Sequence, residues 1–265
     1  KVGKEKITEI SAAEHLAALR SEQKDLVELS FSPICGYGEH GAIVHYSATE
    51  ESDVELKPES FFLVDAGGHY LDGTTDTTRT FAMGELTYEE KHLYTAVCRG
   101  NLHLAHARFL HGCTGLNLDI LCREPMWKLG LDFKHGTGHG VGYILNVHEG
   151  PNAFRWKQSP SLSNAVLEPG MVTTDEPGLY LTGKFGIRLE NELVCKKLTD
   201  NEYGTFLGFE ILTMIPFDLD AVLPEEMSEE ERQWLNEYHQ KVYETVAESL
   251  PEKERIWLRE ATRQI

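Results

Sequence analysis

Residues 135–142 read HGTGHGVG, and this octet restricts the fold more than any other stretch of the chain. Two histidines four residues apart would share one face of a helix. The glycines around them, Gly136, Gly138, Gly140 and Gly142, oppose a helix, at about 1 kcal/mol each relative to alanine. The octet is therefore not the helical H-E-x-x-H zinc motif, whose glutamate is also missing. In an extended chain side chains alternate, so His135, Thr137 and His139 share a face. Glycines between them let a second backbone, or a ligand, approach closely. The alternative is a glycine-rich turn with two satisfied histidines. A phosphate loop fits less well, because the run lacks Lys-Ser/Thr and the glycine spacing of a dinucleotide fingerprint.

An extended segment needs sheet partners, and the sequence offers several. "GAIVHY" reads as a strand. "ESFFLVDAGGHY" and "DGTTDTTRTF" read as two strands, with Gly67-Gly68 and Asp72-Gly73 as turn residues. "LEPGMVTTDEPGLYL" and "FGIRLENELVCK" read as strands of a second sheet segment, joined by a loop or wide hairpin. Helices are marked by capping boxes. Ser11 with Glu14 opens a helix to about Leu29, and Thr87 with Glu90 opens one to about Leu110. Gly112 and Gly115 punctuate the chain before a further helix to about Leu129. After Pro216, "PFDLDAVLPEEM" reads as a linker. Ser228 with Glu231 then caps a helix with Leu235, Tyr238 and Val242 on one stripe. A last helix begins near Pro251, with proline in the favoured first turn. Helices and antiparallel pairs in blocks predict an α+β fold rather than βαβ repeats.

Composition excludes whole classes of partner. The net charge of −18 supplies no basic patch for nucleic acid. No apolar run approaches the roughly 18 residues of a membrane span. The five cysteines, Cys35, Cys98, Cys113, Cys122 and Cys195, form no C-x-x-C pair, which predicts a reduced, intracellular chain. "KVGKEKITEI" has no signal-peptide core and does not begin with Met, so a fragment or processed form is expected.

The chemistry-bearing residues are mostly acidic. Asp65 ends the apolar run "FFLV", and Asp76 lies eleven residues on. If the chain folds back with a wide turn near Tyr70 and Leu71, the two carboxylates oppose each other. Like charges so placed are destabilising unless a cation or proton lies between them. Either aspartate alone also fits a turn. Glu176 precedes Pro177 and is biased toward an extended conformation. Arg188, Glu190 and Glu192 share one strand face. Glu192 is expected on a solvated surface, whereas Arg188 could fix the carboxylate geometry of Glu190. Pooled with His139, the carboxylates of Asp65, Asp76, Glu176 and Glu190 balance two divalent cations. Oxygen-rich ligation favours a hard ion, Mn2+ first, with Zn2+, Co2+ or Fe2+ as alternatives. Two such ions can hold a bridging hydroxide, a nucleophile at neutral pH.

Four stretches together, "VDAGGHYLDGTTDTTRTF", "HGTGHGVGYILNVHEGP", "TDEPGLY" and "FGIRLENEL", resemble the catalytic domain of the Xaa-Pro aminopeptidases (aminopeptidase P). These are pita-bread metallopeptidases, grouped with prolidase and methionine aminopeptidase. The likeness runs from "ISAAEHL" to "WLREATRQI". It implies a curved antiparallel sheet flanked by helices over residues 1–217, with a helical C-terminal extension, 218–265, packed on it. It also implies roles. Asp65 chelates one metal, His139 and Glu176 the other, and Asp76 and Glu190 bridge both. His45 lies on the leaving-group side and helps move a proton. His135 and His148 contact substrate and stabilise the tetrahedral intermediate, His135 as a donor. Arg188 pairs with the bridging carboxylates, and Glu176 carries the proton from water to the leaving nitrogen.

The implied reaction is hydrolysis of the bond between an N-terminal residue and a following proline, by a hydroxide bridging two metals. Proline-containing peptides are then the substrates, in the cytoplasm. The runner-up is prolidase, whose dipeptides need a carboxylate-binding group that the sequence does not reveal. A pita-bread binding module without catalysis is the alternative from another class. Three-domain relatives carry two further N-terminal domains that are absent here, and these shape the substrate entrance. The tail aromatics Trp234, Tyr238, Tyr243 and Trp257 serve either packing on the domain or a homodimer interface.

Overall fold

A computed structural model describes residues 2–158 and 164–265. Helix α1 (Glu9–Ser21) is capped by Thr8, whose hydroxyl accepts the Ser11 amide at 3.2 Å. Ser11 Oγ accepts the Thr8 amide in return, so the cap lies three residues before the expected Ser11. The helix also stops short of Leu29. It ends at Ser21, Asp25 then turns the chain in a left-handed conformation, φ 63°, and Leu26–Leu29 forms strand β1.

Strand β2 (Ile34–Tyr37) leads into a 3₁₀ turn at Gly38–Ala42. "GAIVHY", expected as a strand, is this turn and the bend after it. The cause is Glu9, whose carboxylate is fully buried. It accepts the Tyr37 amide at 2.7 Å and the Tyr46 hydroxyl at 2.9 Å, and it meets His40 Nδ1 at 3.0 Å. These bonds curl the segment around α1.

The stretch expected as two strands is four: β3 (Phe61–Asp65), β4 (Gly68–Tyr70), β5 (Gly73–Thr75) and β6 (Thr78–Ala82). β4 and β5 form a hairpin with Tyr70 opposite Gly73, so the chain folds back at Leu71 and Asp72. β3 pairs with β6, Asp65 opposite Thr78. Asp76 joins β5 to β6, with its carboxylate near that of Asp65 at the end of β3.

Helix α2 (Tyr88–Ala105) has its Thr87–Glu90 capping box as expected. It ends before Leu110 because Phe109–Leu110 forms β7, an edge strand. Helix α3 (Gly115–Trp127) follows. Then come β8 (Gly138–Val141), β9 (His148–Phe154), β10 (Val172–Asp175), β11 (Gly178–Leu181), β12 (Phe185–Arg188), β13 (Asn191–Asn201) and β14 (Gly204–Ile211). Helices α4 (Glu229–Val246) and α5 (Glu252–Ala261) close the chain. Pro251 is the cap of α5 rather than its first residue.

The largest sheet has the order β7-β14-β13-β10-β8-β9, with smaller sheets β2-β3-β6, β1-β4-β5 and β11-β12. Every pairing between these strands is antiparallel, which bears out the α+β expectation. The octet explains its glycines here. A Cβ on Gly138 would lie 1.7 Å from the Thr174 carbonyl oxygen, and one on Gly140 would lie 2.0 Å from that of Glu149. Only bare backbone lets β8 lie between its neighbours.

α2 and α3 pack together and share one core with the sheet, including Cys98, Leu102, Cys122, Met126, Phe154 and Leu193. The C-terminal segment belongs to that core. Phe217, Leu219, Ala221, Val222 and Met227 are buried, so the expected linker is packed chain. Leu235, Tyr238 and Val242 are buried on the stripe read from sequence. Trp234 stacks on His106 with ring centres 4.5 Å apart, and Tyr243 packs against the core. Of the four tail aromatics, Trp257 is the exposed one.

Arg79 fastens the tail. Its guanidinium donates to Asn191 Oδ1 at 2.7 Å, to the Ile215 carbonyl at 2.7 Å and to the Tyr238 hydroxyl at 2.9 Å. Tyr238 donates in turn to the Ile215 carbonyl at 2.6 Å. Because α4 shares the core, Leu235→Ala is expected to lower unfolding free energy by about 2–5 kcal/mol in one cooperative transition. Denaturant titration followed by both far-UV dichroism and tryptophan fluorescence checks this. Two separate midpoints would show that the tail unfolds on its own.

Candidate metal centre

The five side chains expected as ligands come from five places in the chain. Asp65 ends β3, Asp76 joins β5 to β6, His139 lies in β8, Glu176 follows β10, and Glu190 joins β12 to β13. They meet in one cavity of about 570 Å³. Ligand atoms of Asp65, Asp76 and Glu190 lie within 4.8 Å of one another, as do those of His139, Glu176 and Glu190. A third such group joins Asp76 and His139 to His148. Glu190 is common to the first two groups, so one carboxylate stands between two potential cation positions.

Each side chain is aimed by neighbours. His139 Nδ1 lies 3.0 Å from the Gly140 carbonyl, to which it donates, and this leaves Nε2 facing the acids. That Nε2 is 3.4 Å from Asp76 Oδ2 and 3.6 Å from Glu176 Oε1. Thr78 Oγ1 donates to Glu190 Oε2 at 2.7 Å. Arg188 Nη2 donates to Asp65 Oδ2 at 2.7 Å. Arg188 therefore pairs directly with Asp65 and reaches Glu190 only through Thr78, whose hydroxyl accepts Arg188 Nε at 3.1 Å.

The other Asp65 oxygen, Oδ1, is buried with no hydrogen-bond partner. A buried acceptor left without a donor is expensive. Such an oxygen beside two more carboxylates is what a cation would satisfy, so the residues present fit a divalent metal pair. Burial pushes the Asp65 carboxyl up despite Arg188. It pushes Glu190 well above the carboxylate range, with Asp76 and Asp65 adding to the effect. Burial also carries Glu176 up to about 7, against the opposing pull of His139. Burial opposes protonation of His139, but Asp76 and Glu176 prevail and raise it.

The remaining expected residues line the same cavity. His45 stands exposed at its mouth on the bend after the 3₁₀ turn. His148 starts β9 and meets His139 edge to face at 4.0 Å. Burial, followed by His139, lowers its pKa. His135 Nδ1 lies 2.7 Å from the Gly136 carbonyl, and Nε2 lies 2.8 Å from the Tyr180 hydroxyl. Tyr180 also accepts from Arg188 Nη1 at 3.0 Å. Burial takes His135 down to about 4.

Two residues escaped the sequence reading. Tyr180 couples His135 to Arg188, and "GLYL" gave no sign of it beyond a strand aromatic. Glu192, expected at a solvated surface, is buried and accepts the Asp76 amide at 2.8 Å. The strand breaks at Leu189 and Glu190, between β12 and β13, and beyond that break Glu192 faces the Asp76 backbone. Burial, then Asp76, raises it to about 8.

The sequence profile of metallopeptidase family M24 matches residues 1–197, and that of the C-terminal region of the same peptidases matches 205–265. Aminopeptidase P1 of Arabidopsis thaliana is 44% identical over 260 residues, covering 97% of this chain and 40% of its own length. A probable Xaa-Pro aminopeptidase P of Paracoccidioides brasiliensis is 43% identical, covering 98% and 42%. The chain thus spans about two fifths of the length of these curated relatives. Among solved structures, an X-prolyl aminopeptidase from Caenorhabditis elegans superposes with a TM-score of 0.91 at 40% identity, over 98% of this chain and 43% of that one. It is described as a cytosolic enzyme with a di-nuclear active site. Prolidase from Pyrococcus furiosus gives 0.65 at 28% identity, over 77% and 55%.

The raised carboxyls set a pH dependence. A group whose pKa is higher in the folded chain favours folding most below its unfolded pKa, and that contribution fades as pH rises through the folded value. With Glu176 at about 7 and Glu192 at about 8, the metal-free chain is expected to lose thermal stability from about pH 5 to pH 8. Adding Mn2+ should raise the melting temperature more at pH 8 than at pH 6, since binding releases protons. Scanning calorimetry with and without the ion measures both. A metal-free melting temperature that is flat across this window contradicts the electrostatics described.

Proposed function

The chain belongs to metallopeptidase family M24, with its pita-bread fold, and from that premise we propose that it removes the N-terminal residue of peptides whose second residue is proline. The observation that carries this is the convergence of Asp65, Asp76, His139, Glu176 and Glu190 on one cavity. Asp65 would hold one cation, His139 and Glu176 the other, with Asp76 and Glu190 shared. When bound, the two cations polarise the scissile carbonyl and lower the pKa of the attacking water. Mn2+ leads because the donors are oxygens apart from a single imidazole.

The chain's own residues do the rest. Glu176 stands at the cavity beside His139 and is the proton carrier from water to the leaving nitrogen. His148, kept neutral, offers an N–H to the developing oxyanion. His45, at the mouth, serves the leaving group. His135, in contact with substrate, is held by Tyr180, which ties its orientation to Arg188. Proline has a rigid ring and no N–H in the scissile bond. Phe31, Ile34, Val44 and Val147 give the cavity an apolar wall against which that ring packs.

Proline-directed aminopeptidase activity is favoured over prolidase by the C-terminal region and by the fuller superposition on the C. elegans enzyme. Residues 1–217 form the catalytic unit in this reading, and 218–265 an extension packed on it. Self-association, if it uses the tail, falls to the outer face of α5, where Ile256 and Trp257 are exposed. A cytoplasmic location accords with the description of the C. elegans relative and with the free thiols of all five cysteines. Among the described residues, no helix is long and apolar enough to cross a membrane.

With Mn2+, the chain is expected to cleave Arg-Pro-Pro and leave Arg-Ala-Ala intact, as followed by mass spectrometry. Glu190→Gln should lower kcat/KM by about 100-fold or more and reduce bound metal in parallel. Turnover of Gly-Pro alone would transfer the reading to prolidase. Wild-type turnover of neither, with metal bound, would favour a binding module.

A further inference from the structure

Asp76 sits in the short joint between β5, which ends at Thr75, and β6, which begins at Thr78. The carbonyls of this joint are all occupied. Ser30 Oγ donates to that of Thr75 at 3.0 Å, Thr77 Oγ1 to that of Asp76 at 2.7 Å, and the Ala66 amide to that of Thr77 at 3.1 Å. The Asp76 amide belongs to no strand ladder, and the residue is buried. A buried backbone N–H needs an acceptor. Among the described residues that acceptor is Glu192 Oε1, at 2.8 Å.

The fold holds Glu192 firmly enough to serve as an anchor. Its amide donates to Thr213 Oγ1 at 2.9 Å, and its carbonyl accepts the Leu212 amide at 2.9 Å. Across the sheet it lies opposite Thr174 of β10, whose Oγ1 accepts the His139 amide at 3.0 Å. Two residues earlier, the Glu190 amide donates to the Thr78 carbonyl at 3.0 Å. Residues 190–192 are thus joined to residues 76–78 by two rungs. The first is backbone to backbone and would form with almost any side chain. The second needs an acceptor of this length at position 192. Glu192 does not line the metal cavity; it faces a separate one of about 490 Å³, beside Thr75 and Thr77.

We infer that Glu192 is a positioning residue: by holding the Asp76 amide it fixes the Asp76 carboxylate against that of Glu190, and so sets the spacing of the two acids that the cations share. This rests on the two-cation reading above. Ligand atoms of Asp65, Asp76 and Glu190 lie within 4.8 Å of one another, and their like charges push Asp76 away. Without the Glu192 rung, the Asp76 N–H would lose its acceptor and the joint could turn to find another. The carboxylate would swing with it, out of the place where two cations meet. Groups outside the ligand shell that aim its members tune metal affinity in this way. One oxygen of a carboxyl accepts an N–H whether or not the other carries a proton, so the role needs an acceptor and not a charge.

Calorimetric titration of the metal-free chain with Mn2+ tests this without turnover. The wild-type chain is expected to take two ions. Glu192→Leu, close in size but with no acceptor, should hold the weaker of the two about tenfold or more less tightly. Glu192→Gln keeps an acceptor oxygen at the same reach and should restore most of that affinity. If Glu192→Leu does not fold, Glu192→Asp, one methylene short of the amide, is expected to show the same loss. With Arg-Pro-Pro, the Leu or Asp chain should lose kcat while KM changes little, because Glu192 touches no substrate. A glutamate that merely packs would lower the metal-free melting temperature and leave Mn2+ affinity alone. Two ions held as tightly by a folded Leu or Asp chain as by the wild type overturn the inference alone. So does a folded Glu192→Gln chain as impaired as the variant that lacks the acceptor. A wild-type chain that takes fewer than two ions overturns the two-cation reading, and the inference with it.

Discussion

Four carboxylates, those of Asp65, Asp76, Glu176 and Glu190, point into one cavity from four separate segments, and their mutual repulsion is the constraint around which the fold is arranged. Two like charges 4 Å apart repel by about 4 kcal/mol at an effective dielectric of about 20. One such pair outweighs a typical net hydrogen bond several times over. Arg188 answers part of this through Asp65, and Thr78 answers part through Glu190. The unpartnered Asp65 Oδ1 shows that the protein groups do not answer all of it. Burial pushes these carboxyls toward their protonated forms, and divalent cations would meet the same deficit with far more charge.

The scaffold keeps those acids from moving apart. Antiparallel pairing of β3 with β6 places Asp65 opposite Thr78, two residues from Asp76. The Glu190 amide donates to the Thr78 carbonyl at 3.0 Å, stitching the β12–β13 joint to the same point. Arg79, one residue further along β6, carries the connection to Ile215 and Tyr238. The C-terminal helices are thereby linked toward the candidate metal centre through a buried guanidinium, beside the bond from Tyr238 to Asn191. On the opposite wall, the bare backbones of Gly138 and Gly140 let β8 sit deep enough for His139 to reach Asp76 and Glu176.

Residues that carry chemistry were easier to read than the path of the chain between them. The five candidate ligands were legible as a set rather than singly: either aspartate alone also fits a turn, the glycines of the octet exclude a helix, and the four stretches together carry the family likeness. Capping chemistry located α2 and α4, whose boxes depend on residues three apart. What escaped depends on contacts distant in sequence. Glu9 lies 37 residues from Tyr46, and its burial curls a segment whose apolar run looks like a strand. Glu192 has the alternation of a surface residue, yet its carboxylate meets an amide 116 residues away. Arg79 looks like an ordinary surface cation until the register of β6 turns it inward. The packed segment after Pro216 has the prolines and acids of a linker, and only the core reveals why Phe217 and Leu219 are there.

The most direct test of the account is crystallographic. Crystals grown with Mn2+ should show two anomalous peaks in the cavity, one beside Asp65 and one beside His139 and Glu176, with Asp76 and Glu190 touching both. A single peak, or two ions bound away from these five side chains, would contradict it.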